Sequence, residues 1–141
     1  MNINKIHSLV YKLYCGGGIF KLTSKLLSRY ERVRYQMDVP YTFNLDGVYL
    51  CHNGFGIVIN PNAKIGKGTV IQNSVCIGEI DGSHKSPIIG ENVFIGCHSC
   101  VLGDIKIGNN VKIGAGAVVI KDVPDNCTVV GVPARIIETE K

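Results

Sequence analysis

Aliphatic residues return every six positions through most of this chain, and few folds accept such a period. Ile59, Ile65, Ile71 and Ile77 are six apart, and Ile89, Ile95, Val101, Ile107, Ile113 and Val119 continue the step. Gly follows directly at positions 66, 78, 90, 96, 108 and 114. Four residues after nine of these ten aliphatics stands a small or branched side chain: Ala63, Thr69, Val75, Val93, Ser99, Ile105, Val111, Ala117 and Val123. The template is aliphatic–Gly–x–x–small–x. A strand alternates its side chains with period two, so six residues make one short strand and one corner. Three such faces close a triangular coil of about 18 residues, the unit of a repeat solenoid. The aliphatic then points inward onto its equivalent in the next coil. The Gly is expected to relieve the backbone at the corner, where unusual φ/ψ is needed. The fold class is therefore an all-β core, a parallel β-helix of hexapeptide repeats. A β-sandwich would show alternating strands at spacings of about 8–12 residues, and this chain has none.

The rhythm breaks once inside the array. Ser83 stands where an aliphatic is due, and residues 79–87 are polar, with Gly82 and Pro87 as turn residues. This reads as a six-residue extrusion from one corner. Ile95 then stacks on Ile71, and Cys76 on Cys100 one coil later; without the extrusion Cys76 would meet Phe94. Ahead of the array Val39 and Leu45 keep the step of six, and Asn53–Gly56 add two residues before it resumes.

Residues 3–36 carry a different period. Ile6, Leu9, Val10 and Leu13 fit helical spacing, as do Ile19, Leu22, Leu26, Tyr30 and Val33. Gly16, Gly17 and Gly18 separate two short helices. The domain boundaries read as an N-terminal helical cap (1–36), a β-helix (37–137) and a tail (138–141). Seven basic residues (Lys5, Lys12, Lys21, Lys25, Arg29, Arg32, Arg34) meet one acid, Glu31, so this segment is +6 of the chain's net +4 and the remainder is −2. Two readings stand for it. It caps the end of the solenoid, hiding the terminal coil, or it attaches to an anionic membrane surface. A nucleic-acid binder would spread cations over its folded core, so no nucleic-acid partner is expected. No secretory signal or long apolar run is visible. Cytoplasmic placement, peripheral to the inner face of the membrane in the second reading, and six free thiols are expected.

The hexads, the ending Gly131-Val132-Pro133-Ala134-Arg135-Ile136 and the segment from His52 to Ile59 resemble the hexapeptide-repeat acetyltransferases. The branch they most resemble is the serine acetyltransferase-like group, which includes short polysaccharide O-acetyltransferases. The resemblance covers residues 36–137. It implies a left-handed coil, a homotrimer, and acetyl-CoA as co-substrate in the groove between adjacent β-helices. It places the general base on His52 and an orienting carboxylate on Asp38, 14 residues upstream, with Asp46 as the competitor.

The chemistry needs these types. A hydroxyl is a weak nucleophile at neutral pH, and a His can take its proton as it attacks a thioester. A carboxylate on the other ring nitrogen fixes the tautomer. By the same resemblance Gly78, Cys97, Ala115, Lys121 and Arg135 are the candidates for holding acetyl-CoA, the two cations suiting its phosphates. His98 replaces a family Gly. His84 and Lys85, in the extruded loop, are the candidates for the acceptor. Serine acetyltransferases carry an Arg-His pair before the Pro of this loop, and here Lys85 and Ser86 precede Pro87. That departure ranks a sugar hydroxyl, in surface-polysaccharide biosynthesis, ahead of serine, with a non-enzymatic scaffold third. A zinc site at Cys97, His98 and Cys100 lacks the fourth ligand such sites need.

Overall fold

The computed structural model describes residues 3–80, 82 and 84–139. Two helices, α1 (Ile3–Cys15) and α2 (Ile19–Tyr35), precede thirteen short strands. These are β1 (Tyr49–Leu50), β2 (Val58–Ile59), β3 (Lys64–Ile65), β4 (Val70–Ile71), β5 (Cys76–Gly78), β6 (Ile88–Ile89) and β7 (Phe94–Ile95). They continue as β8 (Cys100–Leu102), β9 (Lys106–Ile107), β10 (Lys112–Ile113), β11 (Val118–Val119), β12 (Cys127–Val130) and β13 (Arg135–Thr139). The strands fall into three sheets. Face A is β2-β5-β8-β11, face B is β1-β4-β7-β10-β12-β13, and face C is β3-β6-β9. All pairs are parallel except β12 with β13. Successive strands visit the faces in turn, which makes a three-sided parallel β-helix.

The registers locate every irregularity. Ile65 pairs with Ile89, Ile71 with Ile95 and Ile77 with Val101. Each gap is 24, one coil of about 18 plus six extra residues. The extrusion between Gly78 and Ile88 is therefore present, and Cys76 pairs directly with Cys100. Both are free thiols. Asp81 and the misplaced Ser83 of that loop lie outside the described residues.

The first and last coils correct the sequence reading. Leu50, not Leu45, heads the ladder on face B, through Ile71, Ile95, Ile113 and Val129. Leu50 to Ile59 is nine residues, a hexad plus three, so His52, Asn53 and Gly54 form the inserted turn. At the far end Val123 bridges to Ile107 and Val129 pairs with Ile113, both gaps of 16. The last coil has lost two residues between Val119 and Val123. Val123 therefore holds the inward aliphatic position, where the period alone had made it a fifth-position residue. Arg135–Thr139 folds back antiparallel on β12, so residues 138 and 139 belong to a strand and not to a tail. Residues 140 and 141 lie outside the described residues.

The glycines serve a different purpose from the one expected. Those after the aliphatics have ordinary φ, and the left-handed backbone falls two residues later, at Gly68, Ser74, Asn92, His98, Asn110 and Gly116. At Gly66, Gly90, Gly96, Gly108 and Gly114 the Gly after the aliphatic is needed for space, whereas at Gly78 a Cβ would fit. A Cβ on Gly66 would lie 2.5 Å from the Gly90 carbonyl of the next coil. Stacked strands sit so close at this corner that no side chain fits. The fifth-position residues line the interior, and the two polar ones are satisfied there: Thr69 donates to the Gly90 carbonyl and Ser99 to the Gly96 carbonyl.

The helices close the first coil. Ile3 and Ile6 of α1 join the β-helix core. Asn4 accepts from the Leu50 amide at 3.0 Å and donates to its carbonyl at 3.4 Å, satisfying the open edge of face B. α2 lies over α1 and is joined to it by a buried pair, His7 Nδ1 to Glu31 Oε2 at 3.1 Å. The other ring nitrogen of His7 meets the Phe43 carbonyl at 3.2 Å. The apolar series of α2 does not face the β-helix. Ser24 and Glu31 are its buried residues, whereas Ile19, Leu22, Leu26, Tyr30 and Val33 are exposed. No helix among the described residues is long and apolar enough to cross a membrane.

Candidate functional site

Face A lies between two corner columns, and the candidate residues divide between them. The corner from face B to face A stacks Phe55, Asn73, Cys97 and Ala115. Their neighbours Gly56, Ser74, His98 and Gly116 all have left-handed backbone. The columns are bonded by Ser74 N to Phe55 O at 2.9 Å, His98 N to Asn73 O at 3.1 Å and Gly116 N to Cys97 O at 2.9 Å. The inserted turn His52-Asn53-Gly54 projects from this same corner, at the end nearest the helices. Its three residues have φ of 48, 56 and 71°. A left-handed His carries strain of about 1–3 kcal/mol, the kind that collects where function imposes it. Cys51 precedes it and receives the Gln72 side-chain amide at 3.3 Å.

Asp38 stands at the head of face A. Its backbone bridges to Val58, which continues the row Val58, Cys76, Cys100 and Val118. Asp38 and His52 thus flank one corner of the first coils, and both are exposed. They are not hydrogen-bonded to each other. Asp38 Oδ1 instead accepts from Arg32 of α2 at 2.6 Å. The expected carboxylate–imidazole pair is absent among the described contacts because the cation on the helical cap takes the carboxylate. Arg32 is the residue of this site that sequence reasoning missed. Its only signal was a basic residue six positions before Asp38. Asp46, the competitor, pairs with Lys67 at 3.6 Å and is remote from His52 in its contacts.

The other corner, from face A to face C, gathers the remaining candidates. Gly78 ends β5 and pairs with Leu102, and Lys121 follows β11 at the equivalent corner two coils on. The extruded loop leaves from here. His84 Nδ1 lies 3.9 Å from Glu79 Oε2, a long contact, and the His84 carbonyl accepts from Asn62 at 3.3 Å. Lys85 reaches Asp104 Oδ2 at 2.7 Å, and that carboxylate raises the lysine's pKa. The loop is therefore clasped to the next coil, and Lys85 does not project freely toward an acceptor as expected. Arg135 opens β13 opposite Val130, at the far end of face B. Within one chain His52, Cys97 and Ala115 share a corner, and Arg135, opposite the Val130 that stacks on Gly114, lies at the far end of that corner; Gly78, His84, Lys85 and Lys121 share the other.

The corners offer uncovered backbone suited to a long, thin ligand. Ala115 is exposed, and an added Cβ at Gly116 would meet nothing within 4 Å. On face A burial, with Cys100 second, pushes the Cys76 thiol pKa up, so this thiol is a weak nucleophile. Among the described residues no three His, Cys, Asp or Glu side chains are grouped to hold a metal.

Residues 86–121 match the family model described as bacterial transferase hexapeptide (six repeats). The chain is 39% identical over 116 residues to a serine acetyltransferase of Synechococcus elongatus, covering 80% of this chain and 47% of that protein. It is 32% identical over 133 residues to a serine acetyltransferase of Mycobacterium tuberculosis, covering 93% of this chain and 57% of that protein. Among solved structures it resembles a serine acetyltransferase from Brucella abortus in complex with coenzyme A. The TM-score is 0.85 at 35% identity, over 96% of this chain and 55% of that one. A Neisseria gonorrhoeae serine acetyltransferase in complex with serine superimposes with a TM-score of 0.81 at 32% identity, over 96% and 55%. The chain spans about half the length of the curated relatives it matches.

Proposed function

The chain belongs to the hexapeptide-repeat transferases, and from that premise we propose that it is an acetyl-CoA-dependent O-acetyltransferase whose first acceptor is the hydroxyl of serine. The observation that carries the acceptor is the 39% identity to a serine acetyltransferase across 80% of the chain. The sugar acceptor that the loop sequence ranked first is moved to second place, because the relatives are serine acetyltransferases.

In this reading His52 accepts the hydroxyl proton as the oxygen attacks the thioester carbonyl, then returns it to the departing thiol. The projecting turn leaves the imidazole accessible from solvent. Asp38 orients the ring once its carboxylate is released or shared by Arg32. The small residues of the Cys97–Ala115 column let the pantetheine arm approach backbone amides, and Lys121 and Arg135 attract its phosphates. The reading includes a left-handed coil and a trimer. With face A turned to a threefold axis, the His52 corner of one copy meets the Gly78–Lys121 corner of the next. The two half-sites that one chain keeps apart are then joined across a groove.

One specific observation favours the second acceptor class. Lys85 and Ser86 stand where the resemblance places an Arg-His pair, and Lys85 is bound to Asp104. Thiol release from acetyl-CoA, followed with serine, hexoses and sialic acids in turn, separates the two. Saturable release with serine is expected. Release with a hexose or sialic acid alone moves the acceptor to sugars, and no release with any of them defeats the enzymatic reading.

A further inference from the structure

The exposed face of α2 is unlike the rest of the surface. At 100° per residue Ser24 and Glu31 point inward, while Ile19, Leu22, Leu26, Tyr30 and Val33 form one stripe on the opposite side. These five are 74%, 60%, 61%, 54% and 74% exposed. Scattered exposed apolar residues need no explanation, but a continuous stripe of this length does. Beside it runs a second row, Lys21, Lys25, Arg29 and Arg32, on one edge of the stripe. Lys25, Ser28, Arg29, Arg32, Val33 and Tyr41 line a cleft there of about 430 Å³. The one acid of the helix, Glu31, is buried against His7. The solvent side of α2 thus carries cations and apolar side chains, and no anion.

We propose that α2 is a membrane-docking helix, which lays the Ile19–Val33 stripe into an anionic lipid bilayer while Lys21, Lys25 and Arg29 contact lipid phosphates. Charge selects this occupant. Stripe-to-stripe packing with a second copy would bring two segments of net +6 together, and like charges at that range repel. An anionic bilayer neutralises the basic row and receives the apolar stripe in one step. In-plane amphipathic helices have this pattern. The fold leaves most of the helix free to do so, because Ile3 and Ile6 of α1 enter the β-helix core while α2 packs on it only through Tyr35, its last residue. Arg32 gives the dock a link to the candidate site, since its guanidinium is the partner of Asp38.

The test is co-sedimentation of the full chain with phosphatidylglycerol vesicles and with neutral phosphatidylcholine vesicles, beside light scattering in the absence of lipid. Three proteins are compared: wild type, Lys25→Glu/Arg29→Glu, and Leu22→Ser/Leu26→Ser. All four positions are exposed, so circular dichroism should match across the set. Wild type should bind phosphatidylglycerol and not phosphatidylcholine, and binding should weaken as salt rises. Each double variant should bind at least about tenfold more weakly. No binding by wild type, or unchanged binding by either variant, overturns the proposal. So does a drop in assembly mass for Leu22→Ser/Leu26→Ser, which would make the stripe an interface between copies. None of these readouts depends on the acceptor or on acetyl transfer.

Discussion

His52 is held by backbone before it is held by any partner. Three left-handed residues in succession push it out of the coil, and its side chain makes no hydrogen bond among the described residues. An Ala at 52 removes the imidazole without touching the ladder, since Cys51 and Phe55 keep their backbone bonds to the neighbouring coil. His52→Ala should therefore fold as wild type and lose roughly 10²–10⁴ in turnover number, the usual worth of a positioned base. Asp38→Asn should cost less, because it weakens orientation and leaves the proton acceptor in place. Turnover measured with saturating acetyl-CoA, beside a thermal melt, checks both. Unchanged turnover in a folded His52→Ala protein would falsify the base assignment. The identity of this residue was legible only through resemblance. The break in the hexad period places an insertion at Asn53–Gly56 but does not mark His52 as part of the turn, because inserted residues carry no periodic signal of their own.

The elements divide into those a period can specify and those it cannot. The strands β2 to β11 repeat one inward aliphatic at a step of six, interrupted only by the extrusion between β5 and β6, so apart from that loop their sequence spacing is their stacking. The terminal coils keep the aliphatics but change the count: one residue short between Val39 and Leu50, three long before Ile59, two short before Val123. The structure absorbs each change at a corner, where the chain is outside the core. The helices fail for another reason. Helical spacing identifies a stripe on α2 but not which side faces inward, and here a polar pair decides it. His7 and Glu31 are both essentially unexposed, and both ring nitrogens of His7 are engaged. Removing one member of a buried pair leaves the other uncompensated, at a cost of roughly 3–5 kcal/mol. His7→Ala should therefore release α2 while the β-helix persists. Amide exchange should speed up across α1 and α2 and stay slow in β5 and β8. Equal acceleration in all four elements would mean that the helices and the coil unfold as one unit.

At the scale of the molecule, the three faces present different outer rows. Face B shows Tyr49, Val70, Phe94, Lys112 and Thr128, and face C shows Lys64, Ile88 and Lys106. Beyond Asp38 at its head, face A shows Val58, Cys76, Cys100 and Val118, four rungs without a charge. Interfaces between like subunits are depleted of charge at their centre, so face A is the side expected to meet other copies. The division of the candidate site points the same way. Both of its halves lie on corners that border face A, and a cyclic arrangement brings unlike corners together as it closes. A lysine at the middle of face A tests the two ideas in one protein. In the single chain Cys100 points outward, so Cys100→Lys should leave the coil folded. In the assembly three ammonium groups would be drawn toward one axis without an acid to meet them, at a heavy desolvation cost. Light scattering at micromolar protein should read about three times 15.3 kDa for wild type and 15.3 kDa for Cys100→Lys. Acetyl transfer should disappear with the assembly. A Cys100→Lys protein that remains trimeric would move the interface to another face, and an active monomer would place the whole site within one chain.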